Sequence, residues 1–107
     1  MEKRKPHYDL NRIKELLNNE PSRLIRDIAR QHAASAGYVD VDEILSVINR
    51  LCSQHFYKSM TSELNRKLWQ DVYKFMDEDK RLYIKLQLTI NKDKAVLIQF
   101  KKDKGDD

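Results

Sequence analysis

The sequence is poor in the residues that build disulfides, metal cages and phosphate-binding loops. Its 107 residues include one cysteine, two glycines and two prolines. A single thiol, Cys52, excludes a disulfide within the chain and a cysteine-rich zinc site. With neither glycine in a loop-to-helix motif, no phosphate-cradling glycine loop is expected. There is also no signal-peptide pattern and no apolar run of about 18 residues, so we expect a soluble protein of the reducing cytoplasm.

Charge is abundant but nearly balanced. The chain has 21 Lys and Arg against 17 Asp and Glu, a formal charge of +4, which favours an anionic partner without identifying it. The length predicts one domain over residues 1–107, with a polar tail over 102–107 that we expect to be frayed. Cys52 and His55 stand three apart, but two ligands do not define a zinc site. No cofactor is predicted.

The first half of the chain predicts helices. Asp9 is placed to cap a short amphipathic helix over residues 10–18, and Ser22 is placed to cap a second helix that stops at Gly37. The buried stripe of that second helix is expected to be Leu24, Ile25, Ile28, Ala29 and Ala33. Its outer face carries Arg23, Arg26 and Arg30.

A third helix is expected to begin at Asp40 or Asp42. Together with the second helix it has the spacing of a helix-turn-helix, so DNA binding has to be considered. Its first turn also contains Glu43, and three carboxylates would meet the phosphate backbone where a recognition helix must approach it. This interpretation is therefore disfavoured.

After Cys52 the apolar period changes from helical to alternating, which indicates strands. The candidates are "FYKSM", "LWQDVYKFM", "RLYIKLQLTI" and "AVLIQFK". The last two should form an antiparallel hairpin, and a three-residue loop over Asn91–Asp93 lets their apolar residues share one face. This register pairs Ile90 with Lys94, Leu88 with Val96, and Tyr83 with Lys101.

The pattern predicts an α+β fold in which N-terminal helices cover one face of a C-terminal antiparallel sheet. The other face is expected to point towards water. A polar sheet face is usually only solvated. Here the phenol of Tyr83 is expected opposite the ammonium group of Lys101, and the two could together contact a phosphate. The residues on this face are Tyr83, Lys85, Gln87, Gln99 and Lys101.

Several short motifs resemble the MqsR (motility quorum-sensing regulator) toxins. They are "MEKRKPH" at the start, "FYKSMT", "WQDVY", "YIK" and the closing "FK", so the resemblance runs from Met1 to about Lys101. The chain departs from the family pattern in a longer hairpin turn and in the loop before Trp69.

The resemblance implies a toxin of a type II toxin-antitoxin system with a RelE/YoeB-like fold. Such toxins are endoribonucleases, or mRNA interferases, and this family prefers GCU-type sites. The implied partners are mRNA and a zinc-binding, helix-turn-helix antitoxin resembling MqsA. The implied catalytic residues are Lys58, Gln70, Tyr83 and Lys101, and His7 also matches the family.

RNA can be cut without a metal if its 2′-hydroxyl attacks the adjacent phosphate. Lys58 and Lys101 are expected to flank that phosphate, with one of them as a candidate base, its pKa lowered by the neighbouring ammonium group, and the other stabilising charge. Tyr83 is expected to donate a proton or orient the phosphate, and Gln70 to hold phosphate or base. Lys and Tyr have reference pKa values of roughly 10.4 and 10, which makes them poor bases at neutral pH. Candidate RNA-binding residues are His7, Tyr57, Lys85 and Gln99. A non-catalytic nucleic-acid-binding module using the same face is the alternative.

Overall fold

In the computed structural model, which describes residues 1–105, three helices pack on one face of a six-stranded sheet. The predicted α+β class is confirmed. One apolar core joins the helices to the sheet, with Ile13, Ile48, Ile84 and Phe100 at its centre. The elements in chain order are β1 (Glu2–Lys3), α1 (Leu10–Leu17), β2 (Arg23–Ile25), α2 (Asp27–Ser35), α3 (Val41–Arg50), β3 (Phe56–Thr61), β4 (Trp69–Asp77), β5 (Lys80–Leu88) and β6 (Ala95–Lys102).

The four predicted C-terminal strands pair antiparallel as expected, and the addition of β2 makes the whole sheet mixed. Its strand order is β1-β3-β4-β5-β6-β2, and β2 runs parallel to β6 while the other neighbours are antiparallel. The two strands that the sequence pattern missed lie at the two edges. An exposed strand edge offers unpaired backbone N–H and C=O groups. The short strand β1 pairs with the edge of β3, and β2 pairs with the edge of β6.

The second helix starts later than predicted. Ser22 does not cap it but ends a short 3-10 turn, and its hydroxyl donates to the carbonyl of Leu16 at 2.7 Å. Leu24 and Ile25 belong to β2, where pairing with β6 overrides their helical spacing. The helix proper begins after Arg26, whose backbone N–H donates to the Leu97 carbonyl.

The other helix signals are confirmed. Asp9 and Asp40 accept backbone hydrogen bonds from the first turns of α1 and α3, as capping requires. Gly37 follows α2 with a φ of +101°, a left-handed conformation that disfavours any residue with a side chain. Among residues 1–105 no helix is long and apolar enough to cross a membrane.

The β5–β6 hairpin has a bulge that splits its register. Tyr83 lies opposite Lys101 as predicted, but beyond Lys85 the pairing shifts by one residue, so Leu88 faces Ala95 and not Val96. Ile98 is the extra residue. The expected pairing of Ile90 with Lys94 is also absent, because Ile90 lies in the turn with 71% of its surface exposed.

The start of the predicted tail is packed. Lys102 ends β6, and the next residue, Asp103, receives the Lys74 ammonium on its carboxylate at 3.2 Å. The Asp103 backbone N–H also donates to the carbonyl of Arg81 at 2.8 Å. The part of the tail at residues 106–107 lies outside the described residues.

Candidate active site on the polar face of the sheet

The face of the sheet away from the core carries the predicted site residues in three rows that cross the strands. One row runs from Glu2 through Met60 to Gln70. The next contains Lys58, Val72, Lys85 and Gln99, and the third contains Lys74, Tyr83 and Lys101. We call this surface the polar face; its polar members are Glu2, Lys58, Gln70, Lys74, Tyr83, Lys85, Gln87, Gln99 and Lys101.

The polar face is less open to water than the sequence predicted. Tyr83 is only 3% exposed and Gln70 only 8%, and Lys58 and Gln87 are also buried. Lys85, Gln99 and Lys101 are partly exposed. These polar side chains lie outside the apolar core and are nevertheless covered by neighbouring residues. The polar face is therefore a partly covered surface and not a fully solvated one.

Tyr83 is surrounded by cations. The Lys101 Nζ lies 5.1 Å from the centre of its ring, and the Lys85 Nζ lies 5.8 Å away. The first contact follows from the cross-strand pair of Tyr83 with Lys101, whose side chains must leave the sheet on the same side. The structure thus brings a phenol and two ammonium groups within reach of one phosphate.

Gln70 forms the floor of a groove beside this cluster. Its Nε2 donates to the Gln87 Oε1 at 2.9 Å, which fixes the amide across β4 and β5. The groove encloses about 260 Å³. Its walls include Arg26, which precedes α2, Ile28 from α2, Leu64 from the β3–β4 loop, and Lys85, Ile98 and Gln99 from the hairpin.

Lys58 lies at the other side of the polar face and contacts a carboxylate. Its Nζ is 2.9 Å from the Glu2 Oε2. The pair forms because β1 places Glu2 opposite Met60. Lys58 is two residues from Met60 on β3, so Glu2 is its diagonal cross-strand neighbour on the same face. The Lys58 ammonium lowers the pKa of Glu2, and Glu2 remains half exposed.

Two predicted RNA-binding residues, His7 and Tyr57, do not line the groove. His7 stacks on Trp69, with 5.5 Å between ring centres, and its backbone N–H donates to Asp71 on the core side of β4. Burial and the Lys3 ammonium lower the pKa of the His7 imidazole. Tyr57, at the bulge in β3, has the Lys74 ammonium 4.0 Å from its ring centre.

This arrangement suits the binding of a phosphodiester. Ammonium groups at Lys58, Lys85 and Lys101 supply positive charge, the Tyr83 phenol supplies a proton donor, and the Gln70 amide supplies further hydrogen bonds. Hydrogen-bond donors and cations that are already in position stabilise the negative charge that develops in the transition state. Within residues 1–105, no cluster of three His, Cys, Asp or Glu side chains could hold a metal ion.

Comparison with known proteins identifies the family. Residues 5–102 match the family described as "Motility quorum-sensing regulator, toxin of MqsA". The chain belongs to this family. It is similar to the "mRNA interferase toxin MqsR" of Escherichia coli (strain K12), with 38% identity over 86 residues, which cover 80% of this chain and 86% of that toxin.

The sequence pattern does not reveal several groups that line the candidate site. It predicts Arg26 on the outside of a helix and Ile98 in the apolar set of its strand, and it gives Met60 no role, yet all three line the groove. Glu2 was not considered, although it contacts Lys58. Ile98 reaches the groove because of the β6 bulge. Glu2 reaches Lys58 because of β1. No local sequence pattern signals either the bulge or β1.

Proposed function

We propose that this protein is the toxin of a type II toxin-antitoxin pair and acts as an endoribonuclease on mRNA, inhibiting translation and growth. Two findings support this. The first is membership of a family of toxins, and the second is the similarity to a protein named an mRNA interferase. The geometry adds a site of suitable chemistry. The observation that carries the proposal is the cluster of Tyr83 between Lys101 and Lys85 on the polar face.

The proposed reaction is attack by the RNA 2′-hydroxyl on the adjacent phosphorus. The 2′-O–P bond forms, the P–5′-O bond breaks, and the products are a cyclic phosphate and a free 5′-hydroxyl. Lys58 and Lys101 flank the phosphate and stabilise its added negative charge. Tyr83 gives its proton to the departing 5′-oxygen. The protein's own cations supply this stabilisation, so the proposed reaction is independent of metal.

Substrate binding is proposed to use the groove beside the cluster. A single strand can place unstacked bases against apolar and aromatic side chains and present their edges to polar ones. The groove offers Ile28, Met60 and Ile98 for the first role and Gln70 and Gln99 for the second. Tyr57 and Lys85 extend this surface on either side. GCU-type sites are the proposed cleavage sequences.

The proposed protein partner is the antitoxin that the family description names, MqsA. We propose that the zinc site and the helix-turn-helix of the system lie in that partner. The toxin would then act on mRNA in the cytoplasm.

Cleavage of a defined RNA tests the function. Purified protein is incubated in EDTA with a single-stranded RNA containing one GCU, and the product ends are analysed. We expect one cut with a cyclic-phosphate end, and Tyr83→Phe should slow it by about 100-fold or more. Lys94→Ala, which removes an exposed ammonium at the far end of the hairpin, should cut at the parental rate.

Binding without cutting would favour the alternative, a non-catalytic nucleic-acid-binding or regulatory module. The same polar face would then hold RNA through Lys85 and Lys101. In that case the parental protein and Tyr83→Phe would bind the RNA with equal affinity and neither would release product. This outcome would contradict the nuclease proposal.

A further inference from the structure

The proposed reaction leaves one role unassigned, the acceptor of the 2′-hydroxyl proton. Lysine and tyrosine carry their protons at neutral pH, so an ammonium group at Lys58 or Lys101 stabilises charge but cannot accept the proton in that state. The side chains that are unprotonated near neutral pH without a large pKa shift, and so can accept a proton, are carboxylates and imidazoles.

None of the three histidines, all among the described residues, occupies the Lys58 side of the polar face. His7 stacks on Trp69, and its backbone is bound to Asp71 on the core side. His55 accepts a hydrogen bond from the Cys52 N–H and packs against Phe75, another core-side residue. His32 lies on α2 and lines a cavity with Lys101. Lys101 is the neighbour of Tyr83, the proposed proton donor, so His32 is on the leaving-group side and not on the Lys58 side.

A carboxylate is present where the base is needed. Glu2 lies on the polar face, and its Oε2 is 2.9 Å from the Lys58 Nζ. Glu2 also lines an open cavity of about 760 Å³ with Met60, Arg66 and Trp69, so RNA can approach it. Attack and departure occur on opposite sides of the phosphorus. Glu2 lies on β1, on one side of the polar face, and Tyr83 and Lys101 lie on β5 and β6, on the other side. A phosphate bound between them would therefore have the base and the proton donor on opposite sides.

We propose that Glu2 is the general base of the reaction, an inference that rests on the proposed ribonuclease function. The Glu2 carboxylate takes the proton of the 2′-hydroxyl as the 2′-O–P bond forms. The P–5′-O bond breaks, and its electron pair accepts the Tyr83 proton. Lys58 remains an ammonium group throughout and moves from the carboxylate to the phosphate. Proton exchange with water then restores Glu2 and Tyr83.

The surroundings of Glu2 keep it ionised. Lys58 on β3 hydrogen-bonds to it and lowers its pKa, and Arg4 and the Met1 amino group act in the same direction. Across the shared cavity the charged groups are Glu63 and Arg66 of the β3–β4 loop. An ionised carboxylate at neutral pH is able to accept a proton, and the proton-accepting form is lost only in acid.

Replacing the leaving oxygen with sulfur separates a base from an acid. A thiolate departs without being protonated, so an RNA with a 5′-bridging sulfur at the cleavage site no longer needs the proton donor. We expect Glu2→Gln to cut both the oxygen and the sulfur RNA about 100-fold more slowly than the parent. Tyr83→Phe should be slow on the oxygen RNA and restored on the sulfur RNA. Full activity of Glu2→Gln on the oxygen RNA, or its rescue by sulfur, would overturn the assignment.

Controls separate chemistry from folding and binding. Glu20→Gln, a change at an exposed carboxylate far along the chain, should leave the rate unchanged. Glu2→Gln should bind an RNA with a 2′-deoxy cleavage site as the parent does, and its pH–rate profile should lack the parental fall in acid. Tighter binding with unreduced cleavage would instead show that Glu2 only occupies the phosphate position.

A second variant, Glu2→Asp, keeps the test valid if Glu2→Gln destabilises the protein. Glu2→Asp keeps the charge and shortens the side chain, so its rate should lie between those of the parent and Glu2→Gln, with the acid fall retained. Equal rates for the Asp and Gln variants would contradict a base at this position. If the parental protein itself does not cut RNA, the ribonuclease proposal fails; if the parent cuts and Glu2→Gln cuts equally well, only the role of Glu2 fails.

Discussion

Two buried charges on opposite faces of the same sheet are held in different ways. On the core side, the Asp71 carboxylate is fully buried and accepts hydrogen bonds from the backbone of His7 and Tyr8 and from the Ser59 hydroxyl, at 3.0, 2.9 and 2.6 Å. On the polar face, Lys58 meets Glu2, a side chain that is half exposed. Asp71 is therefore held by donors within the fold, whereas the half-exposed Glu2 is a partner that a ligand can replace at Lys58.

The same division appears between adjacent residues of β6. Phe100 is fully buried in the core, and Lys101 points to the polar face beside Tyr83. Successive side chains of a strand point to opposite faces, so one peptide bond separates a residue that holds the fold from one that is proposed to act on RNA. Substitutions at these positions should separate stability from activity.

The largest expected effect is on the core side. Phe100→Ala should lower the free energy of unfolding by about 3–5 kcal/mol, because it leaves a cavity where a ring was fully buried. Urea unfolding followed by circular dichroism measures this. A loss below about 1 kcal/mol would mean that the helices do not close over this side of β6.

Lys101→Ala should show the opposite behaviour. We expect RNA cleavage to fall by about 100-fold or more, since a cation at the phosphate is lost, while the free energy of unfolding changes by only about 0.5 kcal/mol. Single-turnover cleavage rates and urea unfolding on the same preparation test both parts. A variant that loses stability in proportion to activity would remove the distinction between the two faces.

Asp71→Asn tests the anchor. The amide keeps one acceptor oxygen but turns the other position into a donor, so it cannot serve all three donors. We expect a loss of about 1–3 kcal/mol in unfolding free energy. Asp42→Asn, an exposed change on α3, is the matched control and should cost much less. If the two variants lost the same unfolding free energy, the hydrogen bonds of Asp71 would stabilise the fold no more than the hydration of an exposed carboxylate does.

The smallest effect concerns pH and His7. Its folded-state pKa is lowered by burial and by Lys3, so the unfolded chain binds the proton more readily. The contribution to stability is complete above the unfolded pKa of about 6.5 and is lost as pH falls towards the folded value. The unfolding free energy of the parent should therefore drop more between pH 7 and pH 5 than that of His7→Gln. Parallel pH curves for the two proteins would disprove this.

Local signals predicted the local parts of the fold. Asp9, Asp40 and Gly37 mark helix ends through hydrogen bonds and backbone angles within a few residues, and all three act as predicted. The alternating pattern also placed Tyr83 opposite Lys101. These features depend on chemistry that a short window of sequence contains.

What the sequence did not reveal depends on distant partners. The strands β1 and β2 span two and three residues and exist because β3 and β6 offer unpaired edges. The contact of Glu2 with Lys58 joins residues 56 positions apart. For the site, the family motifs indicated Lys58 and Gln70, while the Glu2 contact and the walls of the groove required three dimensions.

The bulge at Ile98 divides the β5–β6 hairpin into two parts with different registers. It separates the end of the hairpin that carries Tyr83 and Lys101 from the end that carries the turn, and the pairing differs by one residue between the two. The position of the phenol opposite the ammonium group is therefore not fixed by the spacing of the turn alone, since the register next to the turn and the register at Tyr83 and Lys101 differ.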